Sequence, residues 1–236
     1  MVVLTMVIAT QYAVTELGYE YTIVHPSNAD IRFIGSDNSS DGVRVLRVDG
    51  TNGTNATLKL YFGNWSSNTK VIYSSAFGIV NEEKYPLKIM YINVTPTIFS
   101  SNSTNSTNST NATYLKIWLH GNRTANAESN VTDPSTVFMY DNGTMVNASN
   151  TTAWILGAGD KNYSNMCYNV SDRTNSGIST PWDNTSRIRY SESDINAVSN
   201  VSDFVWVQVA IDIPAIVDSG GPYSGIITIY FESETH

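Results

Sequence analysis

Residues 205–213 read VWVQVAIDI, and this stretch decides the fold. Val205, Val207, Val209, Ile211 and Ile213 fall on every second position, the period of an extended strand with one apolar face. β-branched side chains at that spacing suit a pleated sheet and crowd a helix. Similar stretches occur on either side. Residues 19–25, 30–34, 43–48, 56–62, 71–80, 87–94, 114–120 and 226–231 are short and rich in Val, Ile, Tyr and Thr. Asp41-Gly42, Asp49-Gly50, Asn52-Gly53 and Asn142-Gly143 supply turn chemistry between strands. About nine such strands without a helical period predict an all-β chain, a jelly-roll-like β-sandwich.

A chain of 236 residues is long enough to bury a sizeable core. Charged residues make up 14%, well below the usual quarter, and Asn, Ser and Thr replace them. Net charge is −8, which argues against nucleic acid or an anionic membrane as partner. No stretch approaches the 18 or so apolar residues of a membrane-spanning helix. Cys167 is the single cysteine, so no disulfide closes within the chain, and a buried thiol is its ordinary reading. The opening residues 1–10 are apolar without Lys or Arg, unlike the positive start of a signal peptide. Either such a signal has been removed or this segment is something else.

Eighteen Asn stand in the acceptor pattern for N-linked glycan: Asn38, Asn52, Asn55, Asn64, Asn93, Asn102, Asn105, Asn108, Asn111, Asn122, Asn130, Asn142, Asn147, Asn150, Asn162, Asn169, Asn184 and Asn200. The chain holds 25 Asn, and Ser or Thr at 53 of 236 positions would place about 6 acceptors by chance. The excess predicts an extracellular, cell-surface chain coated in N-linked glycans, since the sugar is bulky and must face water. Asn93, followed by Pro96, and Asn64, with Trp65 inside its acceptor, are the sites expected to stay bare. Residues 100–113 repeat Asn-Ser-Thr and read as a glycan-bearing loop. Residues 121–203 carry half of the acceptors and only scattered apolar clusters. They read as an irregular insertion with a few strands of its own, packed on the sandwich and shielded by sugar.

Residues 1–37 and 203–236 are free of acceptors, so the gaps in the coat mark an assembly surface. In residues 2–15 Leu4, Met6, Ile8, Tyr12 and Val14 share one parity, which means a strand with one large apolar face. That strand either pairs within its own sheet or projects and fills a groove in a neighbouring copy. The second choice divides the chain into a donor strand at 1–15 and one sandwich domain at 16–236. Its donor residues are Val3, Leu4, Met6, Ile8, Tyr12 and Val14. Head-to-tail repetition of that contact produces an open filament.

Three segments carry a resemblance: KVIYSSAFGIVNEEKYPLKIMYI at 70–92, YLKIWLHGN at 114–122, and the closing region from Phe204, with Ile213-Pro214 and Gly221-Pro222-Tyr223-Ser224-Gly225-Ile226 before the last strand. Together they resemble the TasA/camelysin-like secreted β-sandwiches, most of all the archaeal relatives that form bundling pili, cannulae and threads. The resemblance covers some 70–90 residues and rests on strand and turn patterns. It implies a jelly-roll subunit of an extracellular filament whose donor strand complements the next copy, with neighbouring filaments as further partners. The 121–203 insertion is larger than the family leads one to expect.

Other chemistry is sparse. Asp37, Ser39 and Asp41, followed by Gly42, open a calcium-loop pattern, but Val48 stands where its bidentate Glu belongs. A plain polar turn and a calcium site both stay open. Glu82-Glu83 cannot flank one glycosidic bond if adjacent strand residues face opposite ways, and Trp118 and Trp206 lie inside strand patterns. His25, His120 and His236 form no close-spaced ligand set. No nucleophile motif or phosphate loop is present, so neither an enzyme nor an organic cofactor is expected. The alternative to a filament subunit is a monomeric cell-surface adhesin or S-layer-associated binding module.

Overall fold

In the computed structural model the described residues are 12–18, 21–22, 31–35, 37–39, 42–43, 45–49, 57–81, 83, 85–96, 114–121, 136–146, 154–159, 167–169, 187–189, 202–215 and 224–233. Their strands are β1 (Tyr12–Gly18), β2 (Tyr21–Thr22), β3 (Ile31–Gly35), β4 (Leu46–Asp49), β5 (Thr57–Leu60), β6 (Thr69–Asn81), β7 (Leu87–Pro96), β8 (Leu115–His120), β9 (Thr136–Asp141), β10 (Thr144–Met145), β11 (Trp154–Leu156), β12 (Cys167–Asn169), β13 (Arg187–Arg189), β14 (Phe204–Ile213) and β15 (Gly225–Ser233). Each of the nine stretches first read as strands overlaps one of them. The described part of the chain is all-β. Among the described residues no helix is long and apolar enough to cross a membrane.

The strands form open antiparallel sheets. A four-stranded sheet has the order β1-β15-β7-β11, and a six-stranded sheet the order β10-β9-β8-β14-β6-β3. One buried apolar cluster takes Ile89, Ile92, Ile227 and Phe231 from the first and Phe77, Ile117, Tyr140 and Val209 from the second. This arrangement is compatible with a β-sandwich. Tyr140 links the two sheets directly, its hydroxyl donating to the Val94 carbonyl at 3.4 Å. A three-stranded sheet, β2-β5-β4, lies beside β1 and reaches β3 through β4, so it borders both larger sheets. β12 and β13 pair with each other.

In β14 both parities are buried from Phe204 to Ile211, Gln208 included. Such a strand lies inside the molecule rather than between core and water. Trp118 and Phe138 stack at 4.6 Å and pack with Ala210 in a second, smaller apolar cluster. The six-stranded sheet is therefore more deeply buried than the alternation in 205–213 suggests.

The region read as an insertion contributes members to both large sheets. β9 pairs with β8, and β11 pairs with β7 through Trp154↔Ile89 and Leu156↔Leu87. Trp154 and Leu156 are fully buried in the main cluster. Between β9 and β10, Asn142 and Gly143 have φ of 36° and 97°, the two-residue reverse turn that their sequence predicts. Residues 100–113 lie outside the described residues.

Asn81, fully buried at the end of β6, ties this segment down. Its Nδ2 donates to the carbonyls of Tyr85 at 2.9 Å and Gly157 at 2.8 Å, and its Oδ1 accepts from Glu83 N at 2.9 Å. Its backbone N–H donates to Asp203 O, and Gly157 N donates to Ser202 O. One amide side chain thus joins the β6–β7 turn to the segment after β11. Asn81→Leu leaves two carbonyls and an N–H without partners, which costs about 2–4 kcal/mol at the usual penalty for orphaned buried groups. A lower urea midpoint with an unchanged slope is the expected result.

Candidate functional site

Among the described residues, the predicted chemical residues are distributed rather than gathered. Both Asp37 oxygens accept from Ser75: Oδ2 from the backbone N–H at 2.7 Å and Oδ1 from the hydroxyl at 2.8 Å. The carboxylate fastens the loop before β4 onto β6. Ser39 N donates to Val43 O, and Gly42 N to Ser39 O, closing a tight turn; Asp41 lies outside the described residues. Among the described residues no group of three or more His, Cys, Asp or Glu could hold a metal ion.

Glu83 follows the end of β6, and its backbone, as N–H donor to Asn81 and acceptor from Gly159, shapes the turn. Glu82 is not among the described residues. Trp118, Trp154 and Trp206 are core, as their strand patterns require of Trp118 and Trp206. Trp65 is half-buried and donates Nε1–H to Phe62 O at 2.6 Å. His120 is buried with Nε2 against Ser74 O, while His25 and His236 lie outside the described residues.

Among the acceptors, Asn38, Asn64 and Asn142 are exposed. Asn93 is half-buried in β7, opposite Thr228. Asn169 stands in β12, and the other acceptors lie outside the described residues. Asn142 has its Oδ1 engaged by Tyr114 N at 3.0 Å.

The segment read as a donor strand divides in two. Val3, Leu4, Met6 and Ile8 lie outside the described residues. Tyr12 and Val14 belong to β1, which runs along β15 with Tyr12↔Glu232 and Val14↔Tyr230. Thr15 is in register with Ile229 and Leu17 with Ile227, both buried core positions. β1 is the edge strand of the four-stranded sheet.

The opposite edge of that sheet is incompletely covered. β11 pairs only with Leu87, Lys88 and Ile89 of β7, which continues to Pro96. Among the described residues, positions 90–96 of β7 have a strand neighbour on the β15 side alone. β9 and β10 approach this edge from the other sheet. Met145 of β10 and Val146 after it are exposed, at 40% and 41%. A stretch of strand edge without a second strand neighbour is the form that strand addition uses.

On the outward side of the same sheet, Tyr91 and Tyr230 stack at 4.1 Å. Desolvation, and then the neighbouring Tyr230, hold the Tyr91 hydroxyl above the ordinary tyrosine range. A raised folded value stabilises the protonated form. That contribution is complete below about pH 10 and is lost as pH rises through the raised value.

No protein family, curated protein or solved structure matches the chain. Sequence reasoning did not find the 90–96 edge. The only signal is the contrast between a ten-residue β7 and a three-residue β11, and nothing local in either sequence says that the two pair.

Proposed function

We propose that the chain is a structural subunit of an extracellular, N-glycosylated filament, joined head-to-tail by donation of the segment before β1 to the next copy. In this reading the sandwich is a jelly roll, the donor residues are Val3, Leu4, Met6 and Ile8, and the sugars solvate the fibre. The observation that carries it is a segment without charge or acceptor, alternating in apolar side chains, that leads directly into an edge strand. The sequence places the first charge of the chain at Glu16 and the first acceptor at Asn38. Burial of three large side chains contributes roughly 1.5–3 kcal/mol each, and a backbone ladder adds to it. Such a joint holds without the disulfide that the single Cys167 cannot supply within one chain.

Because Tyr12 to Thr15 are already paired with β15, the donor segment that can leave without unravelling the sheet is 2–11. The same internal pairing favours a second reading, a monomeric cell-surface adhesin or S-layer-associated module. Electron microscopy of the purified protein separates them. Filaments are expected from the intact chain, and discrete particles from a chain lacking residues 1–11. Filaments from the shortened chain would sink the proposal.

A further inference from the structure

The filament reading leaves its receiving surface unnamed. We infer that the edge of β7 at 90–96, which among the described residues has a strand neighbour on the β15 side alone, receives residues 2–11 of a second copy. This rests on the filament reading and adds to it one surface and one occupant.

Three observations choose the occupant. The first is charge. Residues 90–96 read MYINVTP and carry none, the exposed pair Met145 and Val146 carries none, and neither do residues 2–11. Charged or inward-pointing ionic side chains are the usual protection of a free strand edge, and this edge lacks them. The second is length. Seven residues of edge span about 23 Å at the rise of an antiparallel strand, and the ten residues 2–11 are long enough to cover it. Pro96, which has no N–H to offer, closes the ladder at one end, and β11 closes it at the other.

The third is direction. Tyr12 is level with Glu232, and Glu232 with Lys88, so the chain enters β1 at the end of the sheet where β11 covers β7. For its own residues 2–11 to lie along 90–96, they would have to cross β15 and β7, about 10 Å of sheet, and then pass β11. A second copy meets no such obstacle and approaches the open side directly. The apolar face of the incoming strand would lie over the seam where Tyr140 bonds Val94 O, between the two sheets. Side chains of β10 would then close over it.

Hydrogen exchange tests this on full-length chains. One sample is assembled wild type; the other carries Leu4→Asp, Met6→Asp and Ile8→Asp, which place charge in the apolar face. Protected amides in β14 in both samples report that both are folded. The expected result is that amides in 90–96 exchange at least about 100-fold more slowly in the assembly than in the variant. Assembly without added protection at 90–96, or equal protection in the unassembled variant, overturns the β7 edge and leaves the filament reading standing. If wild type never assembles, or if the triple variant assembles as well, the filament reading fails and the acceptor edge fails with it.

Discussion

Trp154→Ala is expected to lower the stability of the whole fold by about 3–5 kcal/mol, the range for truncating a large aromatic in a core. Trp154 is fully buried, pairs with Ile89, and belongs to the same apolar cluster as Phe77 and Trp206. Removing the indole leaves a cavity between two sheets that are held by their own ladders and cannot collapse into it. Chemical denaturation followed by intrinsic fluorescence and by circular dichroism checks this. The two probes should shift together. If residues 121–203 were an accessory packed on a finished sandwich, the loss would be local and the main transition would stay in place. Trp154→Phe keeps most of the buried area and should recover more than half of the loss. A variant with a wild-type midpoint would remove β11 from the core.

Gly78→Val should be at least as damaging. A Cβ built at Gly78 meets Phe204 Cε2 at 2.3 Å and Cζ at 2.6 Å, and Ile34 Cγ1 at 3.0 Å. Phe204 is fully buried and set edge-on against Trp206 at 4.7 Å, so its ring has nowhere to retreat. Overpacking of this kind costs typically 1–3 kcal/mol for a methyl or two, and more where a ring must leave its rotamer. A loss of roughly 3 kcal/mol or more is the estimate for Val, with Gly78→Ala in between. Phe204→Ala opens the space that Val needs. The double variant Gly78→Val, Phe204→Ala should therefore be less unstable than the two single losses added together. Strict additivity in the double variant would show that the close approach is not what fixes glycine here.

The strands were legible because their signals are local. In 205–213 the β-branched parity is read from neighbours, and β14 spans Phe204–Ile213. Asn142-Gly143 needs only its own two backbone conformations to set the turn between β9 and β10. Trp206 is core, as its strand pattern requires, but nothing local says that Gln208 on the same parity is buried too, because a face is wet or dry according to what lies across from it. Asp37 shows the same limit. Its spacing to Ser39 and Asp41 suggests a cation loop, while Ser75, far along the chain, takes both of its oxygens. Asn81 gave no sequence signal, since its three side-chain bonds reach loops that only folding brings to it.

By itself the sequence determined that the chain is built of strands, where most of them lie, and which ends are free of glycan acceptors. Period, propensity and turn chemistry act over a few residues and survive without a partner. Tertiary structure alone decided who pairs with whom. It placed β15 between β1 and β7, drew Trp154 from an acceptor-rich region into the core, and, among the described residues, paired β7 with β11 at 87–89 alone. Strand pairing joins residues far apart in sequence, and its register depends on the fit of faces that no single segment contains.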